Sequence, residues 1–321
     1  MAGFSVATNS YLIRANLWSQ QIKEVLLDDL NAQQYVDWLT DFPDGTTFNI
    51  PSIGLATVDN YSEDTQVNYR SMDTGNFTFT ITEYLSSGTY ITNKMKQDSF
   101  YMDKLISTFV PYQHRAIMTR LETDILGLAT AGGQTASDKN AINGADHRWV
   151  GNGPNETIAL ADFAKARYAL EKAKVPLVNL IAIVDPSVEY ALNTLTNLTN
   201  VQNNPRWEGV IKDSLATGMH FNSNVYGFDV YVSNYLADAN ETITPTNGSA
   251  KTTAAGKANI FFAAAGGDVT PFKGAWRQMP NVDSQYNQDY QREEYVTTAR
   301  YGVKLYRPEN FVVVLTDNDQ V

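Results

Sequence analysis

The 321-residue sequence has no cysteine at all. That absence excludes disulfides, thiolate zinc sites, iron–sulfur clusters and cysteine nucleophiles. Histidine is almost as scarce, with only His114, His147 and His220, so a multi-histidine metal centre is excluded in practice. Charged residues make up 18% of the chain, below the usual level of about 25%. The 24 Lys and Arg are outnumbered by 35 Asp and Glu, a net charge of −11, which disfavours nucleic acid as a tight ligand. No long apolar run exists either. Runs such as 180–184 and 311–315 fall far short of the roughly 20 residues that a membrane span needs. The opening stretch from Met1 to Val6 has no basic region and no apolar core, so it does not read as a secretory signal. These absences together imply a soluble chain, made in a reducing compartment or indifferent to redox.

What is there instead is a polar surface built from Asn, Thr, Ser, Gln and Tyr, a composition suited to broad contact surfaces. The length implies about two compact units of ~150 residues. Residues 17–31 predict an amphipathic helix capped by Asn16, and 33–39 a weaker helical turn. Residues 46–53 and 78–83 predict the strands of a long hairpin, with 54–77 as a polar loop and a turn at Thr74-Gly75-Asn76. A two-stranded ribbon is marginal alone in water, so this one must lie on another part of the chain or on a neighbouring subunit. An apolar stripe over 94–130 predicts helix, split by Pro111 into 97–110 and 112–130 and stopped at Gly132-Gly133. A Gly/Asn-rich connector leads to a helix at 160–174, an apolar strand at 178–184, and a helix at 186–196 capped by Asp185. Strands are expected around 218–221, at 227–234 and at 259–264. Residues 238–257 read as a small-residue loop, and 295–315 as two strands joined by a turn at 307–310.

Catalytic patterns fail on residue type. There is no phosphate-binding glycine loop, no G-x-G-x-x-G after a strand, no G-x-S-x-G elbow and no HExxH. Residues 138–143 loosely resemble a calcium loop, but Ile142 replaces a ligand and Asn143 the required glycine. His114 and His220 read as surface or packed histidines, and His147 as a loop contact. No catalytic residue, cofactor site or metal site is expected, and the chain does not read as an enzyme.

The charges are unevenly placed. Residues 28–73 carry nine acids against Arg70 alone, net −8, whereas 94–120 carry five bases against two acids, net +3. Docking of an acidic arm and ribbon on a basic helix fits this pattern, and so does simple solvation. The docking reading nominates Asp59, Glu63, Asp64, Arg70 and Asp73 on the ribbon, with Lys94, Lys96, Lys104, Arg115 and Arg120 on the helix, as subunit-interface residues.

Three stretches, Lys94–Ala129, Tyr226–Leu236 and Tyr301–Asp317, together with the order of elements, resemble the major capsid proteins of tailed bacteriophages. The resemblance implies an α+β chain with the Hong Kong 97-like fold. Its parts would be an N-terminal arm (1–45), an extended loop (46–93), a peripheral domain with a spine helix (94–131 plus 270–321), and an axial domain (150–269). Residues 238–257 would be the axial tip or another exposed surface.

The implied function is self-association into hexamers and pentamers of an icosahedral shell around double-stranded DNA. The implied location is the virion capsid, assembled in the host cytoplasm, with no membrane partner. Family members that crosslink covalently use a loop lysine. Residues 46–93 contain none, so a shell held by non-covalent contacts is expected. A chain of this length starting at Met1 leaves little room for a cleaved scaffolding region, which implies a separate scaffolding protein. A portal protein, a decoration or cement protein and non-specifically contacted packaged DNA complete the implied partners. An encapsulin-type nanocompartment shell and a β-rich hydrolase are the competing readings.

Overall fold

The computed structural model describes residues 30, 32–40, 45, 47–54, 56, 58–71, 74–98, 102–130, 138–194, 221–253 and 255–317, with the backbone alone at 102–109, 193–194 and 221–223. The helix predicted at 17–31, the stop at Gly132-Gly133 and His220 lie outside these residues.

A 3-10 turn at Ala32–Tyr35 leads into β1 (Val36–Leu39), and a two-stranded ribbon follows, β2 (Thr47–Ile53) with β3 (Thr74–Thr80). Next come β4 (Glu83–Thr92), α1 (Asn93–Asp98) and the long helix α2 (Met102–Gly127). The short strands β5 (Ala141–Ile142), β6 (Ala145–Asp146) and β7 (Arg148–Val150) precede α3 (Leu160–Lys172), β8 (Leu180–Val184) and α4 (Pro186–Thr194). Then come β9 (Phe221–Val225), β10 (Phe228–Val232), β11 (Asp238–Ala239), β12 (Thr242–Ile243), β13 (Lys251–Thr252) and β14 (Gly256–Ala263). The chain closes with β15 (Phe272–Asn287), β16 (Arg292–Leu305) and β17 (Val312–Asp317).

A seven-stranded mixed sheet runs β7-β17-β14-β8-β10-β9, with β11 added beside β14. Strand β8 is apolar throughout, and β14 and β17 are mostly so, because both faces are covered. Ile181, Ile183, Ile260, Phe262, Val313 and Leu315 point to one core, which they share with Leu121, Ile125 and Leu126 of α2. Their neighbours in sequence, Ala182, Val184, Phe261, Val312 and Val314, point to the other, beneath Phe163, Ala166 and Leu170 of α3 and Val188 of α4. Phe163, Phe228 and Phe261 meet edge to face there, with ring centroids 5.2–6.3 Å apart. Asn259 sits buried in β14, receiving the Asp185 amide at 2.9 Å and donating to Val314 O and Thr316 Oγ1 at 3.1 and 2.7 Å. Asp185 caps α4 as expected, accepting the Ser187 amide at 2.9 Å.

The second sheet has four strands in the order β1-β15-β16-β4. It packs on α2 through Tyr301 and through Gln113, which meets Thr297 at 3.0 Å. Strand β1 pairs with β15 at 272–275; beyond it no described strand joins that edge of β15, which has two irregularities between Trp276 and Asn281. Pro280 falls inside that irregular stretch, where the missing N–H leaves no ladder bond unmade.

The structure revises several expectations. Helix α2 runs through Pro111 without a split, from Met102 to Gly127. Contacts on both sides of the proline, Lys96 to Glu293 and Gln113 to Thr297, hold the helical run to the sheet despite the lost bond. Thr74-Gly75-Asn76 is not a turn but the first part of β3, so the ribbon's tip spans 54–73. Residues 36–39 form a strand, since pairing with β15 outweighs local helix preference. The loop expected at 238–257 holds three short strands and the start of β14.

Candidate assembly surface

Strand pairing runs the ribbon out from Thr47 opposite Thr80 to Ile53 opposite Thr74. Its root is anchored. Phe79 and Ile81 are buried with Ala275, backed by Leu39, Phe48 and Phe77. The Phe77 ring stands edge-on to Tyr306 at 5.0 Å, and Lys304 Nζ donates to Thr78 O at 2.8 Å. Gly302 lets the root cross closely, because a Cβ there would sit 2.9 Å from Thr80 O and 3.0 Å from Ile81 Cα.

Among the described residues, nothing covers the ribbon beyond its root. Residues 58–71 are all exposed, including Val58 at 95% and Tyr69 at 88%. Arg70 holds Asp59 in a two-point ion pair, both bonds 2.9 Å, which braces the two sides of the tip. Glu63 and Asp64 are left at the exposed turn, with Asp64 at φ +62°. Asp73 lies outside the described residues.

The proposed basic counterpart is more committed than its sequence implies. Lys96 pairs with Glu293 of its own sheet, which raises the lysine's affinity for its proton and lowers that of Glu293. Arg120 pairs with Asp124 at 3.1 Å. Arg115 is half-buried, Lys94 is exposed on α1, and only the backbone of Lys104 is described.

Three buried charges escaped sequence reasoning. Glu122, inside the apolar stripe of α2, accepts the Ala32 and Gln33 amides at 2.7 and 3.3 Å and so docks the segment leading to β1. Arg148 is fully buried; it donates to Ala129 O just past the end of α2 and to Glu241 Oε2 at 2.5 Å. Asp162 accepts from Trp149 Nε1, the Asn152 amide and the Ala159 amide at 2.9–3.0 Å, fixing the start of α3. A charged residue within an apolar pattern was the available signal in each case. His147 is buried beside them with Nδ1 3.0 Å from Ala145 O; burial holds its pKa below the ordinary histidine value, partly offset by its backbone contacts with Ala145 and Glu309 and by the charges of Glu309 and Asp146. Residues 238–257 are clamped by these groups, since Thr246 binds Asp146 at 2.5 and 3.0 Å and Lys251 reaches Gly151 O at 3.2 Å.

Among the described residues no group of three or more His, Asp or Glu is arranged to hold a metal, and no helix is long and apolar enough to cross a membrane. Two packed cores thus carry a ribbon whose described tip is exposed. Comparison with known proteins shows the class to which this arrangement belongs. A family model described as phage capsid protein matches residues 75–314. Comparison with curated protein sequences returns no match. Among solved structures, the cyanophage Pam1 capsid asymmetric unit is similar over 100% of both chains, with 15% identity and a TM-score of 0.71. The capsid structure of cyanophage P-SCSP1u matches over 98% of this chain and 95% of that one, at 14% identity and a TM-score of 0.71. A Mycobacterium phage Che8 chain matches over 93% and 96%, at 17% identity and a TM-score of 0.68.

This chain belongs to the phage capsid protein family. It is a structural protein of the virion, a major capsid protein that self-assembles into the shell, and it has the α+β fold of phage capsids. Neither the nanocompartment nor the hydrolase reading gains support.

Proposed function

We propose that the ribbon is the principal inter-subunit strap of an icosahedral shell made of hexamers and pentamers around double-stranded DNA. The observation that carries this reading is a ribbon anchored at its root, with an apolar and acidic tip that the described residues leave in solvent. An isolated two-stranded ribbon gains stability by lying on a surface, and the described residues of the subunit offer the tip none. In this reading residues 1–45 are the N-terminal arm, 46–93 the extended loop, 94–131 with 270–321 the peripheral domain, and 150–269 the axial domain. The strap lies across the neighbour's α1–α2 region, where Glu63 and Asp64 meet Lys94, Lys104 and Arg115. Weak contacts of this kind become strong when closure repeats them around each ring.

The remaining partners follow from the same reading. A separate scaffolding protein guides closure in the host cytoplasm, a portal occupies one vertex, and a decoration protein adds to the outer surface. DNA is contacted non-specifically, since the net charge of −11 keeps packaged DNA from adhering to the wall. The chain carries no catalytic activity in this role.

Reversal of both tip acids, Glu63→Lys with Asp64→Lys, tests the strap. Assembly followed by sedimentation is expected to fall, and the wild-type yield is expected to fall as salt rises. Normal shells from the variant at low and high salt would overturn the docking. The lysine-free ribbon supports a shell without covalent links, so denatured particles should give one band near the 35.7 kDa monomer. A ladder of multimers would refute that part alone.

A further inference from the structure

We propose that Glu83 and Asp124 form an acid-closed latch between the root of the ribbon and helix α2. The two carboxylates come from different elements and line one cavity of about 240 Å³, with Thr82, Thr123, Leu128 and Val303 among its walls. Its floor has room to spare, because a Cβ added at Gly127 would meet nothing within 4 Å.

The titratable and charged groups that face this cavity are few. On α2, Arg120 Nε lies 3.1 Å from Asp124 Oδ1. On β16, the Tyr301 hydroxyl donates to Asp124 Oδ2 at 2.6 Å. On β4, Glu83 is the ladder partner of Tyr301 and receives the Thr82 hydroxyl at 3.2 Å. With both carboxylates ionised, two negative charges share the site with one cation, and the Arg120 side chain is 59% exposed. Like charges in a partly dry site disfavour double ionisation, and a single proton relieves the pair. Burial holds Asp124 above the ordinary carboxylate range, against the pull of Tyr301 and Arg120, and Glu83 adds to the rise. Asp124 therefore takes up a proton earlier on acidification than a solvated surface carboxylate does.

Once one carboxyl is neutral, a short O–H···O⁻ bond across the cavity becomes available, and Glu83 swings over Gly127 toward Asp124. Glu83 follows directly on Thr80–Thr82, where the root crosses Gly302. A rotation there is carried along β2 and β3 to the exposed tip. The latch is a property of one subunit and stands whether or not the tip docks on a neighbour.

Hydrogen–deuterium exchange of the full chain, followed at residues 81–85 and 123–128 and corrected for intrinsic rates, tests it. Wild-type protection is expected to rise several-fold as pH falls from about 7 to about 4, the range over which carboxylates titrate. Glu83→Gln removes one charge permanently and should show the closed, protected level at every pH. Glu83→Lys replaces repulsion with attraction and should do the same. Fluorescence of Trp276, whose ring lies 5.2 Å from Tyr301, shows that each variant is folded. A flat wild-type profile, or a folded Glu83 variant that tracks the wild-type profile, overturns the latch.

Discussion

Replacing Arg148 with methionine removes a buried charged side chain that ties the end of α2 to the β11–β13 region. Arg148 is fully buried, and the side chain of its partner Glu241 is only 11% exposed. Losing one member of such a pair strands the other, a cost of about 3–5 kcal/mol. Glu241→Leu should cost a similar amount for the same reason, with the stranded charge now on Arg148. The double variant strands neither charge of the pair, and the Ala129 carbonyl loses its donor, worth about 1–3 kcal/mol. For a cooperatively unfolding chain of 321 residues, each single change lowers Tm by about 4–7 °C. Thermal unfolding of all four proteins, wild type included, closes the cycle. If the double variant loses as much as the two singles combined, Arg148 and Glu241 do not depend on each other and the staple argument is wrong.

Three further outcomes are expected. Gly302→Ala should cost about 1–3 kcal/mol and loosen the ribbon root, since its Cβ would press on Thr80 O and Ile81 Cα; exchange protection at 79–82 reads this directly. Pro111→Ala restores an N–H to α2 and should stabilise the chain by up to about 3 kcal/mol, measured by denaturant unfolding. His147 is held below its unfolded pKa by burial, so the unfolded chain takes up its proton first; stability should begin to fall as pH drops through about 6.5, and His147→Gln should remove that part of the slope in Tm against pH.

The sequence was most legible where one local rule dominated. The apolar runs of β8 and β17, the Asp185 cap and the long helical stripe of α2 each announce themselves, because a strand buried on both faces and an amphipathic helix leave different periods. Strand β15 escaped notice. Its distal half carries Arg277, Gln278, Asn281, Asp283 and Gln285 around Pro280, and it is held by pairing with β16 and not by apolar alternation. The sequence shows the ribbon but puts a turn at 74–76, where the structure has the start of β3, because Gly75 inside a strand looks like punctuation. Charge patterning marked the tip acids as exposed, whereas it credited Lys96 and Arg120 with a freedom that Glu293 and Asp124 remove. Such pairings are between residues distant in sequence or one turn apart on a face, and composition does not distinguish them.

The position of β17 has a consequence for synthesis. The last described strand sits inside the seven-stranded sheet, between β7 and β14, and its residues enter both cores. Its partners at 148–150 and 256–261 were made long before it. Neither core is complete on a nascent chain until residue 317 has emerged, so the subunit matures as a single late event in place of a stepwise one. Translation itself thereby acts as a timer: a ribbon made early, at 47–80, stays without a finished body behind it until β17 has emerged.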